Sequence, residues 1–276
     1  MKKLYITDLD GTLLTSDAEL SDRSKTMINS LIDKGVLFSI ATARTHATVS
    51  EMFSDVKLNV PLVMMNGVIV YDPSESKVVS TAEIEKNAAE KVLDIFLSHG
   101  KKPMLYYPDG NKINIYYSDL NNKFQLDYIN SRNESGIKHF HYSENLEVND
   151  NLIYIVTLDP REELQEIYEK ITKVDGVNCM FYSDNYTGCY FLEVLSSKVN
   201  KGTAASFVKN YVGADKMIAF GDNLNDIPLF NAADEAYAVS NGHEKLKEIA
   251  NGVIGDHNND AVSTFIYETE KWSLKK

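Results

Sequence analysis

Asp8-Leu9-Asp10-Gly11-Thr12-Leu13 is the stretch whose reading decides the fold. It follows Lys3-Leu4-Tyr5-Ile6-Thr7, a short apolar run that predicts a buried strand, so both aspartates fall where that strand ends. Gly11 lets the chain turn at once. In an open α/β sheet, ligands bind outside the carboxyl ends of the strands. Two carboxylates this close repel each other unless a cation or a shared proton compensates, which points to a metal site. Asp and Gly are also ordinary turn formers, and segments further along the chain decide between the two readings.

Outward from the aspartates, Arg23–Lys34 has helical spacing and is closed by Gly35. Val36–Ala41 predicts a second strand with Thr42-Ala43-Arg44 at its carboxyl end. A helix over Thr45–Val56 and a third strand over Pro61–Met65 follow, the strand ending in an Asn66-Gly67 turn signal. Val68–Tyr71 and Lys77–Ser80 read as a hairpin. The order β-α-β-α-β is that of a doubly wound parallel sheet.

The middle differs. A helix over Glu85–Ser98 precedes tyrosine-rich strands at Met104–Tyr107 and Lys112–Tyr117, joined by a Pro-Asp-Gly-Asn turn. Asp119–Ser131 predicts a helix, and Asn133–Asp150 a loop with a short strand. Asn151–Leu158, Arg161–Thr172, Asn178–Tyr182 and Cys189–Leu195 read as strand, helix, strand, strand. This is the pattern of an α+β unit with an antiparallel sheet. Its tyrosines (Tyr106, Tyr107, Tyr116, Tyr117, Tyr182, Tyr186) are expected mainly to pack that sheet, with one or two free to meet a substrate ring. Near Lys201 the first pattern returns: a helix over Gly202–Tyr211 and a strand over Lys216–Phe220, which ends at Gly221-Asp222-Asn223-Leu224-Asn225-Asp226. The expected fold class is therefore α/β, with a Rossmann-like doubly wound core over 1–82 and 197–276 and an inserted α+β domain over 83–196.

Composition narrows the partners. The 276-residue chain carries 40 acidic against 28 basic side chains, a net charge of −12. That balance argues against nucleic acid or an anionic membrane surface as partner. No apolar run is long enough to span a bilayer and no signal segment precedes the first strand, so the expectation is a cytoplasmic protein. Cys179 and Cys189 lack metal-site spacing and are expected as reduced thiols.

Asp8/Asp10, Thr42-Ala43, Lys201 and Asp222/Asn225/Asp226 all fall at strand ends or helix starts, where a parallel sheet brings them together. Each suits the handling of phosphate. A carboxylate at Asp8 can attack phosphorus, and Asp10 can protonate the leaving oxygen. A divalent cation with oxygen ligands, most simply Mg2+, can bridge Asp8, Asp222 and phosphate. The Thr42 hydroxyl and nearby N–H groups can hold phosphoryl oxygens, and Lys201 supplies positive charge. Taken singly, Thr42 reads as a helix cap, Lys201 as a solvated lysine and Asp222–Asp226 as a capped helix start.

Asp8-Leu9-Asp10-Gly11-Thr12-Leu13, Thr42-Ala43-Arg44, Lys201-Gly202 and Gly221–Asp226 resemble, in order, the four motifs of the haloacid dehalogenase superfamily. Within it the chain resembles the Cof-type phosphatases with a large α/β cap. The resemblance implies Asp8 as nucleophile and Asp10 as general acid, then base. It implies Asp8, the carbonyl of Asp10 and Asp222 as magnesium ligands. Leu9, Thr42, Ala43, Lys201 and Asn225 would contact phosphate, with Arg44 and Asp226 in support. An aspartate at position 10 favours phosphate esters over dehalogenation. The cap would close over the site and choose the leaving group. Ala43 stands where the family usually has glycine, and Gly255–Ala261 departs from the usual acidic-glycine ending. The expected substrate is a small phosphorylated metabolite; hexose phosphates, flavin-pathway phosphates and pyridoxal phosphate all suit such a cap. A phosphotransferase or mutase shares the intermediate, and a non-catalytic phosphate sensor shares the binding groups. Oligomeric state is not legible.

Overall fold

A computed structural model describes residues 1–120, 122–132, 136–183 and 188–273. The chain divides into two compact units, Met1–Ser80 with Val199–Lys276, and Thr81–Lys198.

In chain order, the first unit opens with β1 (Lys3–Thr7), α1 (Asp22–Ile32), β2 (Leu37–Ile40), α2 (His46–Met52), β3 (Leu62–Met64), β4 (Ile69–Asp72) and β5 (Lys77–Thr81). The second unit holds α3 (Lys86–Ser98), β6 (Met104–Asp109), β7 (Lys112–Tyr117), α4 (Lys123–Arg132), β8 (Lys138–Tyr142), β9 (Tyr154–Asp159), α5 (Arg161–Ile171), β10 (Val177–Ser183) and β11 (Tyr190–Ser196). The first unit resumes with α6 (Lys201–Tyr211), β12 (Lys216–Gly221), α7 (Ile227–Ala232), β13 (Glu235–Ala238), α8 (Glu244–Ile249), β14 (Gly252–Val253) and α9 (Ala261–Ser273).

The main sheet of the first unit runs β14-β13-β12-β1-β2, with every neighbouring pair parallel. Alternation along β1 serves both faces. Leu4 and Ile6 join an apolar cluster with Val208 of α6 and Met217 and Ala219 of β12, while the hydroxyl of Tyr5, on the opposite face, reaches Glu270 of α9 at 2.5 Å. A strand buried on both faces needs such cover. β1 is also the switch point: the chain leaves it for β2 on one side and returns to it through β12 on the other. Register fixes what gathers there. Thr7 pairs with Phe220 and with Ile40, so Asp8, Asp222 and Thr42 emerge from adjacent strands at one edge.

Three local expectations change. β3 belongs to a three-stranded sheet, β3-β4-β5, in which it runs antiparallel to β4. Its tie to the main sheet is a single parallel bridge between Ala41 and Val63. α2 stops at Met52, short of the expected Val56: Phe53 caps it, and Phe53 and Val56 are buried beyond its end, so their apolar spacing reflects packing of the following turns and not further helix. In the second unit the sheet runs β10-β11-β9-β6-β7-β8, and β8 lies parallel to β7 within an otherwise antiparallel arrangement. Parallel neighbours require a long crossover, which α4 provides. α3 and α5 cover one face of this sheet through Val92, Phe96, Leu164 and Ile167, packed on Leu105, Ile155 and Leu192. Tyr106 and Tyr107 are buried, and the Tyr106 hydroxyl bonds that of Tyr128 at 2.8 Å. Tyr186 lies outside the described residues.

Candidate active site

Asp8 leaves β1 with its N–H donating to the Phe220 carbonyl at 3.0 Å, so strand pairing holds its backbone. Its side chain is buried, and Oδ1 accepts from Lys201 Nζ at 2.6 Å. The same ammonium donates to Asp226 Oδ1 at 2.6 Å. Lys201 is itself buried, at the first position of α6, whose start is fixed by an Asn200–Thr203 capping box. Gly202 follows because a Cβ there would lie 2.0 Å from the Pro228 carbonyl of α7. That close approach draws α6 against the segment carrying Asp226.

Asp226 Oδ2 accepts the N–H groups of Asp222 and Asn223 at 3.0 and 3.1 Å. Both of its oxygens are thus engaged. Asp222 sits differently: Oδ1 accepts from the Thr12 hydroxyl at 3.1 Å, while Oδ2 faces Gly11, where a Cβ would meet it at 2.5 Å. Gly11 also has a φ of +76°, open to glycine at little cost. Asp10 projects outward and is half exposed; Arg44 Nε and Nη2 bind its two oxygens at 2.8 and 2.6 Å.

Electrostatics follow from burial. Desolvation raises Asp8 well above the usual carboxylate range, with Lys201 opposing and Asp226 and Asp222 adding to the rise. Desolvation, with Asp226 next, raises Asp222 to about 6. Lys201 is held above its ordinary value because attraction to Asp226 and Asp8 outweighs its own desolvation. Three carboxylates against one ammonium leave an excess of negative charge that a divalent cation would balance.

One oxygen each from Asp8, Asp222 and Asp226 lie within 4.8 Å of one another. Since Asp226 spends both oxygens on Lys201 and the backbone, the carboxylates that fit a cation are Asp8 and Asp222. They are hard oxygen donors, as magnesium or calcium requires.

The remaining predicted residues stand around this cluster. Leu9 is buried, and its carbonyl accepts the N–H groups of Thr12, Leu13 and Leu14. Thr42 is fully buried; its N–H donates to the Val63 carbonyl at 2.9 Å and its hydroxyl accepts from the Arg44 N–H at 3.1 Å. Ala43 is exposed at the loop crest. Asn225 reaches Asn66, with Nδ2 to Oδ1 at 3.5 Å.

Asn66 is the residue that sequence reasoning passed over. It is buried, has a φ of +55°, and its N–H donates to the Thr42 carbonyl at 2.9 Å. The available signal was Asn before Gly at a strand end, which reads as a turn. Gly67 beside it accommodates the start of α6, since a Cβ there would lie 2.5 Å from the Asn200 carbonyl oxygen. Residues 65–67 therefore touch the Thr42 loop, Asn225 and the helix that carries Lys201.

Fold and cluster together define a class: an α/β enzyme with acidic and basic groups converging at the switch point of a parallel sheet. The family model for haloacid dehalogenase-like hydrolases matches residues 5–266, and the chain belongs to that family. It is a phosphoester hydrolase, in keeping with the resemblance of its motifs to the Cof-type phosphatases. The chain is 24% identical over 268 residues to the 5-amino-6-(5-phospho-D-ribitylamino)uracil phosphatase YitU of Bacillus subtilis, covering 96% of each chain. It is 24% identical over 273 residues to the pyridoxal phosphate phosphatase YbhA of Escherichia coli, covering 96% of this chain and 97% of that one. Among solved structures, a haloacid dehalogenase-like hydrolase from Bacteroides thetaiotaomicron shares the fold with a TM-score of 0.80 at 18% identity, over 98% of this chain and 100% of the other. Among the described residues, no helix is long and apolar enough to cross a membrane.

Proposed function

We propose that the chain is a magnesium-dependent phosphatase for a small phosphorylated metabolite, a sugar phosphate or similar phosphomonoester, working through an aspartyl-phosphate on Asp8. The observation that supports this most is the buried Asp8 carboxylate, bound to Lys201 at 2.6 Å with Asp222 alongside. Burial strips the nucleophile of water, and the ammonium holds it in one orientation.

In this reading an oxygen of Asp8 bonds to phosphorus as the bond to the leaving oxygen breaks, and Asp10 gives that oxygen its proton. Asp10, now a carboxylate, takes a proton from water. The water oxygen bonds to phosphorus, the bond to Asp8 breaks, and inorganic phosphate leaves. Leu9 and Ala43 would contact the phosphoryl oxygens through their N–H groups, Thr42 through its hydroxyl, and Lys201 and Asn225 through their side chains. Arg44 supports Asp10, and Asp226 supports Lys201. Magnesium would be held by Asp8, Asp222 and the Asp10 carbonyl, and when bound it neutralises charge on the phosphoryl group. Residues 1–82 and 197–276 would be the catalytic core and 83–196 the substrate-selecting cap.

The test is phosphate release from a panel of phosphorylated metabolites, including hexose phosphates, a flavin-pathway phosphate and pyridoxal phosphate. It is run with magnesium and with chelator, on wild type and Asp8→Asn. Release that requires magnesium and vanishes in Asp8→Asn is expected. Activity that survives in Asp8→Asn would sink the mechanism, and an isomeric phosphate ester in place of free phosphate would make the enzyme a mutase.

A further inference from the structure

The loop that follows Asp8 is held by three side chains from a distant stretch of the same unit. Asn241 Nδ2 donates to the Gly11 carbonyl at 2.8 Å. His257 Nδ1 donates to the Leu14 carbonyl at 2.7 Å. Asn258 Oδ1 accepts the Ser16 N–H at 2.9 Å, and its Nδ2 donates to the Ser16 hydroxyl at 3.0 Å. The three are also braced against one another: the His257 N–H donates to Asn241 Oδ1 at 3.2 Å, and Asn258 Nδ2 lies 3.2 Å from His257 Nε2. A carbonyl can only accept, so its partners assign the His257 proton to Nδ1 and leave Nε2 to accept from Asn258.

These contacts take hold at Gly11, Leu14 and Ser16, immediately past Asp10. On the other side Asp10 adjoins Asp8, whose backbone is fixed by the sheet. Between them the chain coils on Leu9, whose carbonyl accepts three successive N–H groups. Asp10 is half exposed, so packing does little to place it. Arg44 binds its two carboxylate oxygens, and where that pair stands depends on the backbone beneath Asp10, which is tied down by Asn241, His257 and Asn258.

We propose that Asn241, His257 and Asn258 are positioning residues for Asp10, fixing the Gly11–Ser16 loop so that the Asp10 carboxyl meets the leaving-group oxygen. This rests on the reading of Asp10 as general acid. A proton is needed most when the leaving group is an alkoxide and least when it is an acidic phenolate. A clamp that serves the acid must therefore matter more for alkyl esters than for aryl esters. A merely structural brace would affect both alike.

The experiment compares kcat and KM for p-nitrophenyl phosphate and for an alkyl phosphate that the wild type turns over, in Asn258→Ala, Asn241→Ala, Asn258→Asp and Asp10→Asn. General acid catalysis is worth ~10²–10⁴-fold, so Asn258→Ala and Asn241→Ala are expected to lose about tenfold more kcat/KM on the alkyl ester than on the aryl ester; kcat/KM reports the step in which the leaving group departs, whereas kcat includes the hydrolysis of an aspartyl-phosphate common to both. Asn258→Asp keeps the acceptor for the Ser16 N–H and should recover part of the loss. Equal losses of kcat/KM on the two esters, or none, in clamp variants that remain folded overturn the proposal when Asp10→Asn itself discriminates between them by the same measure. If Asp10→Asn does not discriminate, the general-acid reading falls, and the proposal with it. Should Asn258→Ala fail to fold, Asn241→Ala, which removes the direct bond to the Gly11 carbonyl and the brace on His257 but leaves the two bonds to Ser16, decides the matter.

Discussion

At the scale of the residue, Lys201 carries the site. Its ammonium is buried between Asp8 and Asp226 at 2.6 Å from each, and removing it leaves two buried carboxylates without their counter-charge. Breaking a buried pair from one side costs roughly 3–5 kcal/mol. Lys201→Met should lose about that much in urea unfolding and should also lose turnover. A loss below about 1 kcal/mol would show that the ammonium contributes little to holding the cluster. From sequence alone, Lys201 reads as a solvated lysine, because its partners lie 193 and 25 residues away. The order of the motifs singled it out; its burial was not legible. Asp8 and Asp222 were legible from strand-end placement, since parallel register gathers such positions. Asn66 was not, because Asn-Gly is a common turn pair and nothing nearby reveals a buried side chain.

At the scale of the element, patterning predicted most helices and strands, and failed where pairing depends on distant neighbours. β3 read as one more parallel strand, which its bridge to Ala41 keeps, but the Asn66-Gly67 turn signal after it did not show that its main partner would be β4. β8 fell within a polar stretch whose pairing with β7 depends on the crossover made by α4. β10 yields a prediction of its own. Cys179 lies on this strand and packs, half-buried, against the apolar core of the second unit, and burial, with Glu193 adding to it, pushes its thiol up to about 12. Its thiolate fraction near pH 8 is then on the order of a thousandfold below that of an ordinary thiol of pKa ~8.5. Alkylation at Cys179, followed by peptide mass mapping, should be slow in the folded protein and rapid in denaturant. Equal rates in both conditions would show that the strand exposes its thiol.

At the scale of the whole molecule, the split of the first unit was legible because the strand-then-carboxylate pattern at β1 recurs at β12, far along the chain. Net charge was a weaker guide: a chain at −12 can still take an anionic ester if a bound cation offsets the carboxylate cluster locally. That local balance sets the last expected outcome. Asp8 and Asp222 are raised chiefly by burial, with Asp226 adding to the rise of each, so holding them ionised opposes folding unless a cation is bound. A ligand that binds only the folded state stabilises it by about 2.7 kcal/mol at a concentration of one hundred times Kd. For a unit of this size each kcal/mol raises Tm by roughly 2–4 °C, so saturating magnesium should raise the transition of the first unit by about 5–10 °C. Asp222→Asn removes one proposed ligand, lessens the repulsion, and leaves the Asp226–Lys201–Asp8 chain in place. It should therefore begin with an equal or higher Tm than the metal-free wild type and gain little from magnesium. The same magnesium-induced rise in Asp222→Asn as in wild type would place the cation elsewhere, and the absence of any rise in wild type would remove magnesium from this cluster.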